Sequence, residues 1–166
     1  MDLTPWLVVI HILSVFGFLA VHGINMGVLL RLRKERDRGR LVTLLEFSTT
    51  YLTAMYIFLL LLLVSGIVLS IIGGFWTSGQ LWLWVSLGLL IVLTVAMYYL
   101  ETFPLTIVRS GLGMQSYQDK KKGIMPTPVS DADLEPLLMA QRPIVGAWLG
   151  VIVIVIITAL MTLKPF

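Results

Sequence analysis

Of 166 residues, 58% are hydrophobic and 13% are charged, and the mean hydropathy is +0.95, a balance that leaves too little polar side chain to cover a water-soluble domain. The expected solvent is lipid, and the expected architecture is one all-α, polytopic membrane domain over residues 1–166. Cysteine is absent and the net charge is +3, which excludes disulfides, thiolate nucleophiles and cysteine-ligated metals within the chain and points to anionic headgroups, since the basic residues flank apolar runs.

In lipid an unpaired backbone is costly, so each apolar run of about 20 residues is predicted to be a helix crossing a core of about 30 Å. The first span is read at about Trp6–Leu30. It has no basic residue before it, and its apolar run is too long for a cleavable signal, so it is expected to be retained. The basic loop RLRKERDRGR follows, residues 31–40. LVTLLEFSTT then reads as an amphipathic helix rising out of the interface near Leu41 into the second span, about Tyr51–Ile72. The turn GGFWTSGQ leads to the third span, about Leu81–Leu100, where Pro104 is expected to kink or end the helix. LTIVRSGLGMQSYQ reads as a membrane-surface segment, and Ser130 as the cap of a short helix, DADLEPLLMAQR. Pro143 opens the fourth span, about Ile144–Leu163. No internal repeat is evident.

Lys and Arg resist translocation, and eleven of twelve lie in the two basic loops, 31–40 and 109–142, with Lys164 the exception. This predicts both loops in the cytoplasm and both termini outside. Trp6, Phe75, Trp76, Trp82 and Trp84 then fall at the outer boundary, where aromatic rings favour the headgroup level.

The two histidines, His11 and His22, both lie in the first span, where an ionisable side chain is costly. Eleven residues at about 100° each bring them within about 20° of one face and separate them by about 16 Å along the axis. Ser14 and Asn25 share that stripe, so it is expected to face the bundle interior. Interhelical hydrogen bonding is the plain reading. The alternative is haem or metal ligation, with Met55, Met97, Met161 or a second protomer supplying the missing ligand, since no other span holds a histidine. Glu46 with Thr49, Thr50 and Thr53, and Glu101 with Thr94 and Tyr98, form two further polar stripes. With His22 and Asn25 they could line a pocket for a proton or small solute; alternatively, both acids reach headgroup water or a loop arginine. Gly23/Gly27 and Gly146/Gly150 are small-xxx-small steps suited to close helix packing. Phosphate loops, nucleophile elbows, zinc-protease helices and calcium loops are missing, and the basic loops lack an aromatic stacking platform. Neither soluble-type enzymology nor nucleic-acid binding is expected.

Taken together, WLVVIHILSVFGF, the loop LRLRKERDRGR leading into LLEFS, and the terminal LMTLKPF resemble a family of small bacterial four-helix integral membrane proteins of unknown function, in which His11 matches an early histidine of the first span. The resemblance implies a bacterial cytoplasmic-membrane location and supplies no activity to carry over. More distantly, the chain is similar to copper-resistance membrane proteins and other small haem-associated four-helix proteins. The leading functional expectation is an accessory or scaffold subunit that packs with itself or with a larger membrane complex; the alternatives are a haem- or metal-binding redox protein using His11 and His22, and a proton or small-solute conductor.

Overall fold

The computed structural model describes residues 3–77 and 79–165, the side chains of Tyr117 and Gln118 excepted. Helix α1 spans Thr4–Leu32, α2 Arg38–Ile72, α3 Leu81–Met97, a π-helical turn Tyr98–Thr102, α4 Phe103–Gly111, α5 Tyr117–Lys122, α6 Asp131–Leu138 and α7 Arg142–Leu163. No strand occurs among the described residues, and four of the helical stretches are long and apolar enough to cross a membrane. The chain is thus an all-α, multi-pass membrane protein. Its surface supports this: Trp6, Phe16, Leu60 and Val92 lie at 60–68% exposure, an arrangement that water would penalise and acyl chains accept.

Local chemistry sets the helix ends. Pro5 and Pro143 occupy the first turns of α1 and α7, where a missing N–H removes no intrahelical bond. Asp37 caps α2 by accepting from the Arg40 amide at 2.8 Å. The second helix therefore begins at Arg38 and runs 35 residues without a break into its membrane segment, which places the expected interfacial prelude and the span on one rod. Ser130 caps α6 as anticipated, accepting from the Asp133 amide at 3.3 Å. That helix stops at Leu138 and does not continue to Arg142.

The third span departs from expectation. Pro104 neither ends nor breaks it, because the chain passes through a π-helical turn just before the proline and continues as α4 to Gly111. In that turn the Phe103 amide donates to the Tyr98 carbonyl, five residues back. The wider turn makes room for a pyrrolidine ring that would otherwise strike the carbonyl of the preceding turn. LTIVRSG is consequently helical, continues the rod as α4 and packs on α6.

Two apolar clusters hold the bundle. One, built around Phe18, Met55, Leu93, Met97 and Ile154, joins the four long rods at mid-depth. The other, with Leu29, Leu41, Leu45, Leu105 and Leu138, closes the end that carries the basic loops. There α6 packs on α4 and is latched by the first loop. Arg38 pairs with Asp131 at 2.7 Å and donates to the Val129 carbonyl at 2.6 Å, Arg36 pairs with Glu135 at 3.2 Å, and Arg33 donates to Gln141 at 3.1 Å. Part of the basic charge expected to face headgroups is thereby matched within the chain. Exposed pairs of this kind contribute about 0–1 kcal/mol each, so the latch owes more to the number of its bonds than to any one. At the far end, the Lys164 ammonium lies 5.0 Å from the Phe75 ring and 5.5 Å from the Trp82 ring.

Candidate functional site

The histidine stripe of α1 does face inward. Ser14, Phe18, His22 and Asn25 are all buried, with His22 at 0% and Asn25 at 1% exposure. What they meet divides the stripe into two regions.

Toward the basic end, three helices contribute to one polar cluster. The Ser48 hydroxyl of α2 donates to Asn25 Oδ1 at 2.8 Å, and Asn25 Nδ2 donates to Glu101 Oε2 at 3.3 Å. Glu101 sits in the π-helical turn at 1% exposure, and its second oxygen, Oε1, has no hydrogen-bond partner. One turn along α1 from Asn25, His22 Nε2 donates to the Ala147 carbonyl of α7 at 2.8 Å. With the proton on Nε2, the neutral ring presents Nδ1 as an acceptor, and that nitrogen too is buried without a partner.

The glycines of α7 create the space. A methyl group on Gly146 would lie 2.8 Å from Glu101 Cγ and 3.2 Å from Oε1, and one on Gly150 would lie 2.6 Å from His22 Nε2. Gly146 and Gly150 are one turn apart, about 6 Å along the helix, so Glu101 and His22 are neighbours along the same groove. Gly23 and Gly27 behave differently. Both point outward, and an added methyl would meet nothing within 4 Å, so the packing expected of them is not made within the chain.

Glu46 does not join the cluster. It is exposed on the outer side of α2 and lies within electrostatic range of Arg109, because residues 46 and 48 point some 200° apart on a helix. Ser48 takes the place expected of it. Thr94 is satisfied by its own helix, donating to the Leu90 carbonyl at 2.8 Å, and Tyr98 is 49% exposed, so neither reaches the pocket. Thr49 accepts instead from the Arg109 guanidinium, which also donates to the Leu45 carbonyl at 3.0 Å. Arg109, Thr49, Thr102, Gln115, Lys120 and Ser48 line a vestibule of about 380 Å³ that opens at the basic end. Ser48 therefore belongs both to the vestibule wall and to the buried chain of hydrogen bonds.

Toward the far end, His11 occupies a separate place. The Ser65 hydroxyl donates to the Leu61 carbonyl at 2.5 Å, so its oxygen accepts from His11 Nδ1 at 2.9 Å, which leaves Nε2 as the acceptor nitrogen. Gly66 accommodates this ring as Gly150 accommodates the other, with 3.0 Å between a hypothetical methyl and His11 Cε1. The two histidines stand in different surroundings. His22 has Nε2 committed to Ala147 and its edge pressed on Gly150, whereas His11 borders an apolar cleft together with Met161. Met55 and Met97 are core residues. No three His, Asp or Glu side chains converge as a metal site among the described residues.

Sequence reasoning missed Ser48 and the π-helical turn. Ser48 shares the buried face of α2 with Leu41, Leu45 and Met55, at spacings of four, three and seven, but a rod so apolar on its other faces gives little signal that this stripe is the inward one. No family model, curated protein or solved structure matches the chain, so the geometry of these side chains is what speaks to its function.

Proposed function

We propose that this protein carries protons within the membrane, with Glu101 as the interior proton site, Ser48 and Asn25 as the hydrogen-bonded anchor that holds its carboxyl, and the Arg109-lined vestibule as the approach from the cytoplasmic side. The observation that supports this reading most directly is the Glu101 carboxyl. It is 1% exposed, accepts a single hydrogen bond, from neutral Asn25, and pairs with no cation among the described residues. An isolated carboxylate in such a place costs several kcal/mol, and a proton is the partner that removes the charge without adding bulk. Intramembrane acids of this kind are characteristic of proton relays.

The remaining parts suit the role. The vestibule is bounded by Ser48, itself 1% exposed, and Ser48 and Asn25 anchor Glu101 Oε2 through two hydrogen bonds, which leaves Oε1 as the oxygen that takes up and releases the proton. Beyond Glu101, the unpartnered His22 Nδ1 is an acceptor about one helical turn further along α7. The charge rule for short loops, applied to the basic loops at this end, favours a cytoplasmic entrance. A π-helical turn is itself a feature that recurs at functional sites.

Proteoliposomes with an internal pH-sensitive dye and an imposed potassium diffusion potential test the reading. Wild-type protein is expected to acidify or alkalinise the lumen according to the sign of the potential. Glu101→Gln should fall to the rate of empty liposomes, while Glu46→Gln, outside the cluster, should match wild type. Equal rates for wild type and Glu101→Gln would refute the assignment.

A further inference from the structure

At the far end of the bundle, side chains from α1, α2, α3, α7 and the α2–α3 turn frame a cleft that encloses about 50 Å³, or about 600 Å³ counted out to its open mouth. The enclosed space is far below the roughly 300–1,000 Å³ of a pocket that takes in a whole small molecule, and suits one inserted group with the rest of the ligand lying across the mouth. Its wall is chiefly aliphatic and carries no charged side chain, but His11, Trp76 and Ser86 break it.

The last two are unusual. The other buried hydroxyls among the described residues are satisfied: Ser14 and Ser65 donate to carbonyls one turn back, at 2.7 and 2.5 Å, Ser70 to the Ile67 carbonyl at 2.8 Å, and Ser48 to Asn25. Ser86, at 1% exposure, makes no such bond, and the indole nitrogen of Trp76 is likewise buried without an acceptor. An indole N–H can only donate, and a helical serine has a ready acceptor in its own backbone. Two idle donors in one apolar cleft mark the place of a missing acceptor, since leaving a buried donor unmatched costs about 1–3 kcal/mol.

We propose that this cleft binds a lipid-soluble carbonyl compound, whose carbonyl group enters the enclosed space and accepts from the Ser86 hydroxyl and the Trp76 indole while its apolar body lies along the aliphatic wall at the open mouth. An anion is disfavoured, because no lining cation would offset its desolvation. A carbonyl oxygen has two lone pairs and no charge. His11 Nε2, free as an acceptor, adds a place for a hydroxyl on the same ligand. Two membrane constituents carry this chemistry: the ring of a quinone and the ester of a phospholipid. The proposal is independent of proton carriage at Glu101.

The test follows the Trp76 indole N–H resonance of ¹⁵N-tryptophan-labelled protein, assigned by Trp76→Phe, in nanodiscs of ether-linked phospholipid that lack ester carbonyls. A saturable shift on adding a short-chain benzoquinone, with no shift from the matching alkylbenzene, supports a quinone ligand. A shift that arises only when ester-linked lipid replaces ether-linked lipid supports the phospholipid source. In either case Ser86→Ala should weaken binding by about 3- to 10-fold, the value of one neutral hydrogen bond. No saturable shift with either source, an equal shift from the alkylbenzene, or undiminished binding by Ser86→Ala would overturn the proposal.

Discussion

Replacing Gly146 by alanine probes how tightly α7 is pressed against the π-helical turn. The new methyl would sit 2.8 Å from Glu101 Cγ and 2.9 Å from Leu100 Cβ, whereas carbon atoms rest at about 3.5–4.0 Å. Leu100 Cβ is fixed to its backbone, so rotamer change cannot relieve that contact, and the two helices must part by roughly 0.6–1 Å. Overpacking of this size costs about 1–3 kcal/mol. Alanine also favours helix over glycine by about 1 kcal/mol, and the proper control carries the same gain without the clash. Gly27→Ala is that control, since its methyl meets nothing within 4 Å. The difference between the two variants isolates the packing penalty. For a chain of this length each kcal/mol moves the midpoint by about 2–4 °C, so Gly146→Ala should melt about 2–12 °C below Gly27→Ala. The assay is thermal unfolding of both in the same detergent, read by loss of the monodisperse size-exclusion peak. Coincident midpoints, or a lower one for Gly27→Ala, would refute the close approach of α7 to the turn.

Asn25→Ala leaves the Ser48 hydroxyl and Glu101 Oε2 without each other's intermediary, and should cost about 1–3 kcal/mol; Glu101→Gln keeps an acceptor for Asn25 and should cost under about 1 kcal/mol. Their relative midpoints in detergent check this, and equal values would mean that the chain of bonds does not form. Outside the membrane, the Ser116 side chain and then its amide hold the Asp119 carboxyl below the usual carboxylate range, through a capping box in which Asp119 accepts from the Ser116 amide at 2.9 Å. A depressed folded value means that the cap is fully effective above the ordinary value of 3.8 and is lost as pH falls through the lower folded one. Amide exchange in Tyr117–Lys122, normalised for the intrinsic pH dependence, should therefore show constant protection from pH 7 down to about 4 and less below it, and Asp119→Asn should abolish that step.

Much of the fold was legible because lipid imposes a simple rule: long apolar runs must be helices, and their number and order follow from hydropathy alone. The inward face of α1 was legible too, since a hundred degrees per residue aligns His11, Ser14, His22 and Asn25 whatever surrounds them. The partners were less accessible. That Asn25 meets Ser48 and Glu101, and not Glu46, depends on the rotation of α2 about its own axis, and a rod apolar on every side gives little sequence signal of which side faces in. Gly146 and Gly150 looked equivalent to Gly23 and Gly27 as a motif, yet only the α7 pair has a neighbour within van der Waals range. The π-helical turn was hidden for another reason: Pro104 announced a disturbance, but one extra residue in the preceding turn absorbs it without ending the rod.

That extra residue makes the third rod a composite of two phases. Up to Met97 the helix follows one angular register, and from Phe103 onward it follows another, offset by roughly one residue's rotation of about 100°. The offset lets the same rod turn Leu90 and Leu93 toward the mid-depth cluster and Leu105 and Val108 toward the cluster beneath α6. Shortening the chain by a single residue between 98 and 102 would erase the phase jump. The extra residue and the lag it causes would vanish together, so Leu105 and Val108 would keep their seats; winding the same residues into a regular α-helix would instead swing everything downstream by about a quarter of a revolution, while the hydropathy profile stayed unchanged.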